Sequence, residues 1–427
     1  MLQPIIGFAG MSHLGINSAV ATAERGFHTI CFDEDTSLIK NLQNKELNIT
    51  EPQLPELFSK NIELNRLQFS DDASQLYQCD IVYLSHDVPT NGQGMSNLEI
   101  IHSLIQKVCK NLSPNAILVV LCQVPPGFTR QLQKIIPLSR LYYQVETLIF
   151  GNAVNRALFP ERFIVGTANV NMELNQTFQQ LLLAFNCPIL TMNYESAELA
   201  KISINCYLVA NISVANMLSE ICEKIGANWS QIVPALRLDK RIGQHSYIMP
   251  GLGIAGGNLE RDITTILNIA AQYGTENSIA KAWLYNSRYR KSWVLKILHQ
   301  KIFSQYDDPT LAILGLAYKE NTNSTKNSPA LALLENLKSY RLQVYDPVVD
   351  YVIVPWAVRK YSIEETISNA DVLIIMTPWD AFKALTVNDL KKYMRGKMII
   401  DPYHTLQGTN FTSAEFEYFT LGQGCLC

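Results

Sequence analysis

From Tyr194 to Ile225 the chain runs without a single glycine or proline, rich in alanine, isoleucine and leucine, and it meets Gly226 at the end. Glycine and proline are the poorest helix formers, so this stretch predicts one long helix, Tyr194–Gly226. The pattern on either side is different. Short apolar runs at Pro4–Ala9, His28–Phe32, Ile81–Ser85, Ala116–Leu121 and Arg162–Gly166 alternate with helical periodicity. A second alternation begins at Thr310–Leu314. It continues through a helix from Pro329 and strands at Gln343–Tyr345, Val372–Met376 and Met398–Ile400. Strand–helix alternation with apolar strands is the signature of parallel sheets covered by helices. The simplest fold is therefore α/β: two doubly wound Rossmann-like domains joined by a long central helix and a helical middle region. One large α/β domain with an insertion is the alternative. The expected boundaries are 1–190, 191–300 and 301–427.

The first strand leads into Gly10-Met11-Ser12-His13-Leu14-Gly15, a G-x-G-x-x-G turn with serine in the second glycine position. The first glycine permits a tight turn. The second lets the backbone approach a pyrophosphate, and the third lets helix pack on strand. The phosphates then sit at a helix N-terminus, where free N–H groups and the helix dipole favour negative charge. A serine is small enough to clear the ligand or to hydrogen-bond it. Asp33 ends the second strand, where a carboxylate suits the ribose 2′-hydroxyl of NAD and repels the 2′-phosphate of NADP. Cofactor contacts are expected from Gly10, Ser12, His13, Leu14, Gly15 and Asp33.

The net charge of −3 leaves no basic footprint for nucleic acid. No apolar run is expected to span a membrane, which needs about 18 residues, and no signal-peptide pattern opens the chain. Nine cysteines lie scattered, apart from Cys425 and Cys427, whose spacing is only superficially that of a prenylation tail. Scattered cysteines suggest reduced thiols in the cytoplasm, not a disulfide framework. No metal site is expected.

The remaining motifs carry a resemblance. Gly253-Ile254-Ala255-Gly256-Gly257-Asn258-Leu259-Glu260-Arg261-Asp262 is similar, without a gap, to G-F-G-G-S-C-F-P-K-D. That is the active-site loop of the UDP-glucose/GDP-mannose dehydrogenase family. Gly253, Gly256 and Asp262 match, Arg261 replaces a lysine, and Asn258 stands where the catalytic cysteine belongs. Val88-Pro89-Thr90 resembles the family's V-P-T, and Gln123-Val124-Pro125-Pro126-Gly127-Phe128-Thr129-Arg130 resembles S-T-V-P-P-G-T-T-R. Val145-Glu146-Thr147-Leu148 is similar to P-E-F-L, but the arginine and glutamate that follow are Ile149 and Phe150 here. Further likenesses are Pro160–Gly166, Asp239–Gly243 (D-x-R-I-G), Gly315–Lys319 (G-L-A-F-K), Tyr345–Pro347 and Trp379–Phe382. Thr322–Pro329 loses an acid and has Lys326 for an arginine, and Asp401–His404 loses another arginine.

The resemblance spans nearly the whole chain and implies an NAD-dependent oxidation at the CH–OH group of a UDP- or GDP-linked sugar by a homodimer. Val88, Pro89, Thr90, Gln123 and Thr129 would join the cofactor site. Lys201 and Asn205, four apart on one helix face, would face the reacting carbon with Glu146 and Asp262. Arg241 would reach a partner's substrate, and Gly253, Gly256, Arg261, Lys319 and Lys326 would bind the sugar nucleotide.

The family oxidises an alcohol to a carboxylate in two two-electron steps, the second through a thioester. An amide at Asn258 supplies no such nucleophile. Three readings stay open. One is an oxidoreductase halting at the aldehyde or doing other two-electron chemistry. The second is a non-catalytic NAD- and nucleotide-sugar-binding relative with a regulatory or scaffolding role. The third is a full dehydrogenase with a relocated thiol, Cys122 or Cys206.

Overall fold

The structure, a computed structural model, describes residues 3–91, 95–349, 354–406 and 416–424. Cys425 and Cys427 lie outside the described residues. The chain forms two compact units, Met1–Ile204 and Asn205–Cys427.

The first unit is built on eight strands: β1 (Ile6–Ala9), β2 (Thr29–Phe32), β3 (Leu67–Ser70), β4 (Ile81–Leu84), β5 (Ile117–Val120), β6 (Leu141–Gln144), β7 (Phe163–Thr167) and β8 (Ile189–Asn193). They order as β3-β2-β1-β4-β5-β6-β7-β8. Chain order reverses between β1 and β4, the switch point at whose strand ends open α/β sheets bind ligands. Strands β1, β2, β4 and β5 are buried at every position. Helices on both faces leave no solvated side, so these strands read as continuous apolar runs. Two apolar cores result, one around Ile16, Val20, Phe58 and Phe178, the other around Ile101, Ile105, Val120 and Phe128.

Strands β3, β6 and β8 are absent from the five runs expected for this half. β8, Ile189–Asn193, is exposed or only partly buried at every position, so burial gives it no alternation to read. The expectation of parallel pairing needs one correction: β6 and β7 are antiparallel, Tyr143 opposite Gly166.

Helix α1 (His13–Glu24) follows β1, α2 (Glu99–Lys110) follows the loop after β4, and the short α3 (Phe128–Gln131) follows β5. The long helix α4 runs from Tyr194 to Ile225, 32 residues, and ends at Gly226 with φ +76°. A residue past the helix end with positive φ is best supplied by glycine. The division between the two units falls within α4. By length and composition this helix is apolar enough to cross a membrane, contrary to the expectation of no such segment. In the fold it holds Glu198, Lys201, Asn205 and Asn216 buried, and partners for three of them are described below.

The second unit has α5 (Asn258–Tyr273), then β9 (Thr310–Leu314), α6 (Pro329–Asn336), β10 (Arg341–Tyr345), β11 (Val358–Arg359), β12 (Val372–Ile375), β13 (Met398–Ile400) and β14 (Glu417–Phe419). The sheet order β11-β10-β9-β12-β13-β14 is parallel throughout and again reverses beside its first strand. Its core gathers Leu311, Ile313, Leu334, Ile374 and Ile399.

Candidate functional site

The turn between β1 and α1 has the shape its sequence predicts. Gly10 sits at φ +99°, and a Cβ there would lie 2.6 Å from the Cβ of His86. A Cβ on Gly15 would lie 1.9 Å from the Gly10 carbonyl oxygen, so no other residue lets α1 pack this close. The Ser85 hydroxyl donates to the carbonyls of Ala9 and Gly10, both at 3.1 Å, tying the end of β4 to the turn. Asp33, just past β2, accepts the Met11 N–H at 2.6 Å and the Asp35 N–H at 3.0 Å. A groove opens beside it, lined by Gly10, Asp33, Glu34, His86, Ile100 and Leu104 among others. Apolar Ile100 and Leu104 suit a flat base, and the acids at one end suit a ribose. These residues fit a dinucleotide: tight glycines, a helix N-terminus, a carboxylate and an apolar groove.

His13, the first residue of α1, stacks on Phe150 with ring centroids 4.0 Å apart, and its Nε2 lies 2.8 Å from Glu51 Oε1. Glu51 also accepts the N–H groups of Gly151 at 2.7 Å and Ala153 at 3.0 Å. Burial by itself would raise the Glu51 carboxyl, but the bonds from His13, Ala153 and Gly151 outweigh it and hold the group below the ordinary carboxylate range. No sequence motif marked Glu51, because its partners lie 38 to 102 residues away. Val88 is buried, and Thr90 bridges to Ser96 at the start of the loop before α2. Gln123 begins the turn after β5.

That turn is held from α4. Glu198 is fully buried and accepts the N–H groups of Gly127 at 2.5 Å and Thr129 at 2.8 Å. Burial raises its carboxyl above the ordinary value even though both backbone bonds lower it. Thr129 is thus a buried residue whose N–H is committed to Glu198. Glu198 stands three residues before Lys201 in the chain, but only the fold reveals its work.

One turn further along α4, Lys201 Nζ lies 3.2 Å from Glu146 Oε2. Two expected catalytic residues, 55 positions apart in the chain, meet here with little solvent. In the second unit, Asn205 donates its side-chain amide to Asp262, and Arg261 Nε lies 3.3 Å from the same carboxylate. All three are buried.

Asn258 is the first residue of α5 and is exposed at its N-terminus. The loop before it is knitted to the 318–327 segment. The Gly256 N–H donates to the Lys326 carbonyl at 3.0 Å, and the Asn327 amide donates to the Gly256 carbonyl at 2.9 Å. Gly253 and Gly256 have φ of +80° and +75°, and a Cβ on Gly253 would lie 2.4 Å from the Ser287 carbonyl oxygen. Lys319 Nζ sits 5.8 Å from the Tyr318 ring centroid. The exposed Lys326 passes beside Gly257. Arg241 stands apart, its side chain 89% exposed and paired with Asp239. At the end of β10, Asp346 accepts the N–H groups of Leu316 at 2.6 Å and Ala317 at 3.0 Å. It repeats in the second sheet what Asp33 does in the first.

Two cysteines were candidates for a relocated nucleophile. Burial pushes the Cys122 thiol up to about 12. Burial and the Asp262 charge push Cys206 up to about 11. Both are thiols near neutrality, and the thiolate is the nucleophile.

The sequence matches the profiles of three domains of one family: the UDP-glucose/GDP-mannose dehydrogenase NAD binding domain over residues 5–184, the central domain over 195–287 and the UDP binding domain over 312–408. The chain is 27% identical over 433 residues to a UDP-glucose 6-dehydrogenase of Rickettsia typhi, covering 98% of this chain and 99% of that one. It is 28% identical over 433 residues to the UDP-glucose 6-dehydrogenase TuaD of Bacillus subtilis, covering 98% and 93%. The fold is similar to a UDP-glucose dehydrogenase of Pyrobaculum islandicum, with TM-score 0.87, 22% identity and coverage of 99% and 98%. It is similar also to a UDP-D-ManNAc dehydrogenase of Pyrococcus horikoshii, with TM-score 0.85, 22% identity and coverage of 98% and 99%.

Proposed function

The chain belongs to the UDP-glucose/GDP-mannose dehydrogenase family, and on that premise we propose that it oxidises the CH–OH group of a nucleotide sugar and stops at the aldehyde. NAD is its cofactor, and a nucleotide sugar is its ligand. The finer reading is supported by one observation: Asn258, which the motif resemblance sets where the family's cysteine forms its thioester, stands at the head of α5. An amide makes no acyl adduct, and burial pushes the two candidate thiols, Cys122 and Cys206, well above neutrality.

When bound, NAD supplies the two-electron acceptor. The chain supplies the rest. The turn Gly10–Gly15 and Asp33 hold the dinucleotide. In the same reading residues 1–190 carry the cofactor, 191–300 the subunit contact and 301–427 the sugar nucleotide. Lys201 and Glu146 form an acid–base pair, and the Asn205 amide donates a hydrogen bond to the Asp262 carboxylate. Either carboxylate can take the proton that leaves the alcohol, directly or through a water. Lys201 and Asn205 can donate to the oxygen on which negative charge develops. Arg261, Lys319 and Lys326 offer cationic contacts to a diphosphate.

The test is incubation with NAD and a panel of UDP- and GDP-sugars, following NADH and product mass. One NADH per sugar with an aldehyde or its hydrate supports the proposal. Two NADH with a uronate defeats it. Binding of both ligands with no NADH from any sugar favours the non-catalytic reading, which the same Asn258 also suits.

A further inference from the structure

The cofactor turn carries a group that its function does not call for. The N–H of Leu14, in the first turn of α1, is one of the free helix donors that a pyrophosphate uses. Here it donates to Asp87 Oδ2 at 3.2 Å. Asp87 lies two residues past the Ser85 that ties β4 to the turn, in an exposed position. Its own N–H donates to the Ser12 hydroxyl at 2.7 Å. Ser12 stands in the second glycine position, so the departure from glycine in the fingerprint is what tethers the acid there.

We propose that Asp87 is an affinity-setting residue that holds the pyrophosphate seat of the free protein and competes with NAD for it. A carboxylate at a helix N-terminus is stabilised by the same dipole and the same N–H as a phosphate. The two cannot share one donor, and both are negative at neutral pH, so a seated cofactor requires the Asp87 side chain to turn away. That rotation breaks no core contact, because the side chain is at the surface. The competition concerns the phosphates alone. The groove of Asp33, Ile100 and Leu104, where base and ribose would lie, does not have Asp87 in its lining.

This inference rests on the NAD assignment, and its test separates the two. Asp87→Asn removes the charge while keeping an acceptor, and Asp87→Ala removes both. Calorimetry with NAD, ADP-ribose and adenosine on the full chain is the measurement, with thermal melting to confirm that each variant is folded. Both variants should bind NAD and ADP-ribose tighter, on the order of ten-fold, with alanine at least equal to asparagine. Adenosine, which has no phosphate, should bind all three proteins alike. Unchanged or weaker NAD binding by both variants overturns the proposal, as does an equal gain for adenosine. NAD binding by none of the three proteins overturns the cofactor assignment and this inference with it.

Discussion

Lys201 on α4 and Glu146 after β6 form an ion pair of 3.2 Å with side chains only 9% and 14% exposed. Removing one partner from such a pair strands the other charge with little water to solvate it, which is costlier than losing the attraction itself. The pair therefore holds the Glu146 loop against α4 as well as offering acid–base chemistry.

Lys201→Met is expected to lower NADH formation on the productive sugar by about 10²–10⁴-fold, the range of a lost acid–base group. NAD affinity should stay within a few-fold of the native protein. Steady-state kinetics with calorimetry decides it, and full turnover by the variant would remove Lys201 from the chemistry.

Asn258→Cys places a thiol at an exposed helix N-terminus, where thiolate is favoured. It should react with a thiol reagent at pH 7 faster than Cys122 or Cys206. It should still yield fewer than two NADH per sugar, because Phe150 stacks on His13 where the family has a carboxylate, and Arg261 and His404 also differ. Product analysis showing complete conversion to the acid from this single change would prove those positions irrelevant.

Asp33→Ala should weaken NAD binding by about 1–3 kcal/mol, the scale of a hydrogen bond to a charged group. It should also lower the melting temperature, since Met11 and Asp35 lose their acceptor. The native protein should bind NADP much less tightly than NAD. Equal affinities would exclude Asp33 from ribose selection.

Glu51 makes stability fall in acid. Its carboxyl is held below the ordinary glutamate value of 4.5, so its bonds contribute fully above that value and are lost as pH drops through the lower folded value. Glu51→Gln should lose about 1–3 kcal/mol near neutrality and show a shallower decline below pH about 4.5. Melting curves of both proteins across that range test the sign. Parallel curves would place the acid sensitivity elsewhere.

The outer stripe of α4 is apolar, with Tyr207 76% and Ile225 70% exposed in the protomer and Val214, Met217 and Ile221 between them. A homodimer packed on this face is expected. Light scattering at micromolar concentration should report twice the chain mass, and Val214→Asp should shift it toward monomer.

Much of this architecture was legible from the chain. The two alternations of apolar runs and helical periods, and the uninterrupted Tyr194–Ile225 stretch, already imply two covered sheets and a long helix. Pairing direction was not: β6 went unread, and the apolar run of β7 is the same whether its neighbour runs parallel or antiparallel. The short β3, with its exposed alternate residue, and the half-exposed β8 were missed for want of apolar contrast.

At the site, the sequence by itself determined the residue types at each position: Gly10, Gly15 and Asp33 for a dinucleotide, and an amide at Asn258 where a thiol would act. These follow from local backbone sterics and side-chain chemistry, which depend on few neighbours. Only the tertiary structure decided who meets whom. Lys201 meets Glu146, Glu198 holds the Gly127–Thr129 turn, and Asp87 takes the Leu14 N–H. These contacts span 55 to 73 residues of chain, and no local periodicity encodes them. They exist because burying both faces of a sheet brings the ends of separate strands to one edge, where polar groups must find partners or remain unsatisfied.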